Sequence, residues 1–222
     1  MKKTRKILLM AACAVLLVCI SVGATVAYLT STDSVTNTFT VGNIKITLDE
    51  AKVDGDGKAL TGDAAERVKE NGYHLFPGHV YDKDPIVHVD ANAENCYLFV
   101  KVVNGIAALE SKATGYKSIA TQMTENGWVA LEDVDNVYYK ANTEGNPVLV
   151  NKGQNYYVFN GFAIDENAET NKTVVDAETN KETLVYQNAT ITINAYAVQA
   201  DGFATAKDAW DATFGKTSTT NP

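Results

Sequence analysis

Residues 96–103 (CYLFVKVV) constrain the fold more than any other segment of the chain. Cys96, Leu98, Val100 and Val102 fall on one parity, and Tyr97, Phe99 and Val103 on the other. Successive side chains of a strand point to opposite faces. Both faces of this strand must therefore be covered, which places it near the middle of a sheet with a layer on either side.

The rest of the body reads as short alternating segments separated by turn signals, the pattern of an antiparallel sandwich. Candidate strands are 85–89, 128–131, 137–140, 148–151, 156–164, 184–186 and 189–199. In the last, Ile191, Ile193, Ala195 and Ala197 share a face, opposite Thr190, Thr192 and Asn194. Pro85 lacks a donor and marks the beginning of its strand. Within residues 34–50, Val35, Phe39 and Val41 are odd-numbered, whereas Ile44, Ile46 and Leu48 are even-numbered. Such a parity switch needs an extra residue or a corner, which Gly42-Asn43 supplies.

Two turns and one helix are expected between these strands. Asp54-Gly-Asp-Gly57 is a turn, and Phe76-Pro77-Gly78 reads as type II, with Pro second and Gly third. Asp63 and Glu66 have capping-box spacing, so a short helix over 63–71 is predicted, stopped by Gly72. The pentapeptide AETNK occurs at 168–172 and again at 177–181. It is too short for a structural repeat and marks polar turns around 173–176.

The N-terminus differs in kind. MKKTRK is basic, and residues 7–27 carry no charge. That run could cross a bilayer, and a retained anchor is the competing reading. However, it weakens into small and polar residues and offers Thr25 and Ala27 at the −3 and −1 positions of a signal-peptidase site, with Tyr28 as the first mature residue. Ala24 is a second possible cut site, with Val22 at −3. Cys19 follows Val18, which is not small, so a lipoprotein is less well supported. The predicted organisation is a signal helix over 1–27, a single domain over 28–216 and a polar tail over 217–222. Membrane contact is then limited to export.

Overall the chain has 19 Lys+Arg against 27 Asp+Glu, a net charge of −8, although residues 1–27 hold four bases and no acid. The remaining body is thus strongly acidic and should repel a phosphate backbone, so no nucleic-acid partner is expected. Cys13 and Cys19 lie in the leader. Cys96 alone remains in the body, which leaves no intrachain disulfide and no four-cysteine zinc site there.

Chemical motifs are sparse. The histidines are His74, His79 and His88, with no HExxH; His74 and His79 straddle the Pro77-Gly78 turn without a specified third ligand. The Asp54 run begins like a calcium loop, yet Ala59 and Ala65 occupy the positions of the required Gly and closing Glu. There is no GxSxG elbow and no phosphate-cradling glycine loop. Cys96 sits among apolar residues, where a thiol acts as a small hydrophobe. No catalytic residue, cofactor or metal is predicted.

Residues 25–34 (TVAYLTSTDS) and 37–50 (NTFTVGNIKITLDE) resemble the start of the Gram-positive TasA/camelysin (CalY) family. Tyr28, then Phe39 with Gly42, Ile44 and Ile46, match its pattern of an aromatic after the cut followed by a Phe-x-x-Gly block. Leu75-Phe-Pro-Gly78, Lys83-Asp84 and the strand 96–103 are similar to a second family block. Residues 191–203 with Ala209-Trp210 resemble the ending of clostridial members. Residues 104–182 match poorly. The resemblance implies export through a SipW-type signal peptidase and a jelly-roll-like sandwich. It also implies assembly into extracellular biofilm-matrix filaments, the freed N-terminal strand of one subunit adding to the next. Some relatives are catalogued as metalloendopeptidases, which the missing zinc motif supports little.

On that reading Val35, Phe39 and Val41 are donor-strand contacts made in self-association. A polar, Thr-rich leading segment can pair by main-chain hydrogen bonds, either with a neighbour or as the edge of its own sheet. No LPxTG-like sorting signal closes the chain. A metalloendopeptidase and a monomeric surface adhesin or carbohydrate-binding sandwich stand as alternatives, since the fold would host either.

Overall fold

Two four-stranded antiparallel sheets enclose the central core. The computed structural model describes residues 44–215 apart from 113, 114, 151, 176, 177, 179–181, 185, 187 and 188, all within one compact unit, Gly42–Pro222. In the first sheet β1 (Ile46–Ala51) pairs β2 (Arg67–Val68) at one end. Along its other edge it pairs β4 (Ile86–Val89), which in turn pairs β8 (Asn155–Tyr157). The second sheet runs from β12 (Ile191–Gln199) through β5 (Cys96–Asn104) and β7 (Val137–Lys140) to β6 (Trp128–Ala130). Two smaller antiparallel pairs join β3 (Val80–Asp82) to β9 (Gly161–Ala163), and β10 (Thr173–Val175) to β11 (Glu182–Leu184). The chain is an all-β antiparallel sandwich, as its alternation predicts.

β5 is covered on both faces around Phe99, but Val103, expected to be covered as well, is 42% exposed at the end of the outer face. Cys96, Leu98, Val100 and Val102 enter the inter-sheet core with Val87 and Val89 of β4 and Trp128 of β6. Phe99 turns the other way, into a smaller cluster with Val137, Val198, Ala209 and Trp210. Each fully buried aliphatic or aromatic side chain contributes about 1.5–3 kcal/mol by leaving water. β12 keeps the expected parity: Ile191, Ile193, Ala195 and Ala197 pack on the inter-sheet core. Its other face is exposed at Thr192 and Asn194.

Two helices escape the sequence reading, the first packed on the central core and the second covering the outer face of β5 around Phe99. α1 (Ile119–Glu125) is capped by Ser118, whose hydroxyl accepts from the Thr121 amide, and buries Ile119 and Met123 one turn apart. α2 (Ala206–Phe214) is capped by Thr205, which accepts from the Asp208 amide, and presents Ala206, Ala209 and Trp210 to the sheet.

The helix predicted over 63–71 does not form. A 3-10 turn spans Gly62–Ala64, and the chain then extends into β2. Tertiary contacts overrule the local capping signal. Lys52 binds Glu66 through both backbone and side chain, and Arg67 is drawn to the end of β1 by two carboxylates. Residues 148–150 make only isolated bridges, because Pro147 interrupts the ladder. The segment expected over 156–164 divides into β8 and β9 at Val158 and Phe159, both fully buried, where the chain leaves β4 for β3. Phe76-Pro77-Gly78 is the expected turn: His79 N–H donates to the Phe76 carbonyl and Gly78 holds φ 76°. Thr173–Val175, flanked by the two AETNK segments, is β10.

Candidate strand-accepting groove

β1 and β12 lie at neighbouring margins of the two sheets. β12 is hydrogen-bonded to β5 only, and β1 uses one edge for β4 over Ile46–Asp49; β2 meets its opposite edge only at Glu50 and Ala51. Among the described residues, most of one edge of β1 and one edge of β12 are therefore without a strand neighbour. Between them runs a groove of about 840 Å³. Its apolar lining includes Leu48, Leu75, Tyr186, Ile191 and Ile193, all half-buried against the central core. Lys69, Glu70, His74 and Thr192 supply a polar margin.

The groove ends on a buried polar cluster. Lys83 and Glu50, 7% and 5% exposed, form an ion pair. Asn71 Nδ2 donates to Glu50 Oε1 at 2.9 Å and to the Ala51 carbonyl at 2.8 Å, while its Oδ1 accepts from the Val53 amide at 3.0 Å. The Lys83 ammonium also lies 5.6 Å from the centroid of the Tyr73 ring. Burial, and then the charges of Glu50, Asp84 and Asp82, push the Tyr73 phenol far above its ordinary range. It stays a donor, bonded to the Asp82 carbonyl at 3.0 Å.

Beside this cluster Arg67 ties β2 to β1 and to the segment between β3 and β4. Its guanidinium donates to Asp49 Oδ1 at 2.7 Å and to Asp84 Oδ2 at 2.6 Å. Asp84 Oδ1 also accepts the Ala51 amide at 2.6 Å. Burial alone would raise the Asp49 carboxyl, but hydrogen bonds from His88 and Arg67, with their charges, hold it below the usual carboxylate range. His88 sits between Asp49 at 2.9 Å and Asn155 at 2.7 Å, linking all three strands β1, β4 and β8.

The other histidines are spread apart in role. The His79 ring packs 5.4 Å from Phe76 and 6.2 Å from Tyr81, and the His74 carbonyl accepts from the Tyr81 hydroxyl. Among the described residues no three His, Cys, Asp or Glu side chains are grouped as metal ligands. The Asp54 carboxylate accepts the amides of Asp56 and Lys58, closing the expected turn on itself. Burial pushes the Cys96 thiol up to about 11.

Thr25, Ala27, Tyr28, Val35, Phe39 and Val41, the residues singled out for cleavage and strand donation, lie outside the described residues, as does the Gly42-Asn43 corner. Sequence reasoning missed the groove itself and the Glu50–Asn71–Lys83 cluster. The only signal for the cluster was the Lys83-Asp84 step. Comparison with family models, curated proteins and solved structures finds no match.

Proposed function

We propose that this protein is a secreted structural subunit of extracellular matrix filaments of the TasA/camelysin kind, assembling by strand addition and not acting as a catalyst. The observation that carries the reading is the groove between the open margins of β1 and β12. An incoming extended segment could bond to main-chain groups there and seat alternate side chains on Leu48, Leu75, Ile191 and Ile193. Val35, Phe39 and Val41 share one parity and would enter as successive knobs. Export through a SipW-type signal peptidase, with cleavage between Ala27 and Tyr28, would free the donor. The acidic body and the scarcity of cysteine outside the leader agree with an exported, disulfide-free subunit.

The test is negative-stain imaging of the mature chain beside a variant lacking residues 28–40. The expected result is filaments from the first and folded monomers from the second, because β5 and β12 remain. Phe39→Ala should weaken subunit joining most among single changes in the donor, since truncating a buried aromatic costs about 3–5 kcal/mol. Normal filaments from the truncated chain would sink the proposal. Unfolding of that chain would instead assign the segment to its own sheet.

A further inference from the structure

Lys83, a nucleophile, and Asn71, an electrophile, are held on the two oxygens of one Glu50 carboxylate, a proton carrier, and from this arrangement we infer that the chain forms a covalent amide between the Lys83 and Asn71 side chains. The Glu50 carboxylate bridges the other two: Oε2 takes the Lys83 ammonium and Oε1 takes Asn71 Nδ2 at 2.9 Å. The Val53 amide donates to Asn71 Oδ1 at 3.0 Å, on the oxygen where negative charge would develop during attack. Lys83 and Glu50 are almost wholly withdrawn from solvent, and the Tyr73 ring flanks the amine. A carboxylate within hydrogen-bond reach of an amine can take its proton as general base at the moment of attack.

The step balances without an oxidant or any second reactant. Glu50 accepts a proton from Lys83 Nζ, and the freed electron pair attacks Asn71 Cγ. The C–N bond forms, and the resulting oxyanion on Oδ1 is held by the Val53 N–H. Glu50 then returns its proton to Nδ2 as the Cγ–Nδ2 bond breaks. Ammonia departs, taking up the second proton lost by Lys83 as it leaves through the groove that opens onto the cluster. The product closes a covalent loop from the segment after β2 to the junction of β3 and β4, tying together three elements at the end of the sandwich. No cysteine pair is present in the body to do this.

Peptide mapping of the full chain, denatured and digested with trypsin, tests the inference. Without the bond, digestion separates residues 70–83 from 84–101. With it, Lys83 is acylated and resists cleavage. Residues 70–101 are then recovered as one peptide lighter by one ammonia, about 17 Da, with no single-break fragment ions between Asn71 and Lys83. Two separate peptides at sequence mass would overturn the inference. So would the same mass loss confined to a peptide cut normally after Lys83, because Asn71-Gly72 can lose ammonia by closing a backbone succinimide. Glu50→Gln should restore the two ordinary peptides. A cross-link that persists in that variant would remove Glu50 from the reaction.

Discussion

Phe99 and Trp210 meet with ring centroids 5.1 Å apart across the outer face of β5. Trp210 also packs edge-on against Tyr196 at 5.4 Å and tilts against Phe214 at 4.4 Å. One indole therefore fixes α2 to two adjacent strands. Trp210→Ala should lower unfolding free energy by about 3–5 kcal/mol in urea titrations, from lost burial and the cavity left behind. Phe214→Ala, at a residue 46% exposed, should cost far less.

The Asp49 carboxyl titrates below its ordinary value because His88 and Arg67 bond it. A depressed carboxylate stabilises the fold fully above the unfolded-state pKa of about 4, and that contribution disappears as pH falls through the lower folded value. Asp49→Asn should destabilise by about 1.5–3 kcal/mol at pH 7, the range for hydrogen bonds to a charged group. Denaturation of both proteins between pH 7 and pH 2 should show the gap closing in acid. A gap that stays constant would refute the assignment.

Gly57 has φ 75°, and a Cβ there would lie 2.4 Å from Cδ1 of the buried Tyr81. Gly57→Ala combines a left-handed backbone with a clash against a ring that cannot move aside, so a loss of about 1–3 kcal/mol is expected. Gly55, two residues earlier, has nothing within 4 Å of its would-be Cβ. Gly55→Ala should lie within about 0.5 kcal/mol of wild type, making the pair an internal control for thermal melts.

Cys96 is fully buried and its thiol is pushed up to about 11 by desolvation. At pH 8 the thiolate is then roughly one part in a thousand, against about a quarter for an unperturbed cysteine. In a chain lacking residues 1–27, alkylation at pH 8 should be negligible while folded and complete in denaturant. Rapid labelling of the native protein would show that the strand opens locally.

Much of the sandwich was legible because its strands carry their faces in their own parity. The two-sided strand at 96–103 and the one-sided strand at 191–199 need only side-chain alternation to be read. The 63–71 region misled because Asp63 and Glu66 imitate a helix start, whereas long-range pairing of Arg67 with Asp49 and Asp84 decides the outcome. α1 is only about two turns long and buries just Ile119 and Met123, so its period is faint. α2 carried a signal that was not read: Thr205 with Asp208, and the Ala206–Ala209–Trp210 spacing. The groove was not legible, since β1 and β12 are distant in sequence and only folding sets their margins side by side. The same holds for Glu50, Asn71 and Lys83, ordinary surface residue types until three separate segments converge.

The double coverage of β5 gives the molecule a built-in order of exposure. Residues on one side of this strand belong to the sandwich interior, and those on the other to the shelter of the C-terminal helix. Lifting α2 leaves both four-stranded ladders paired but uncovers Phe99, Tyr196 and Val198 as a contiguous oily strip. Amides of the helix should thus exchange with solvent through a smaller opening than those of β5. A chain ending before Thr205 would remain sheet-like while gaining an adhesive face, so the last short helix governs solubility as much as folding.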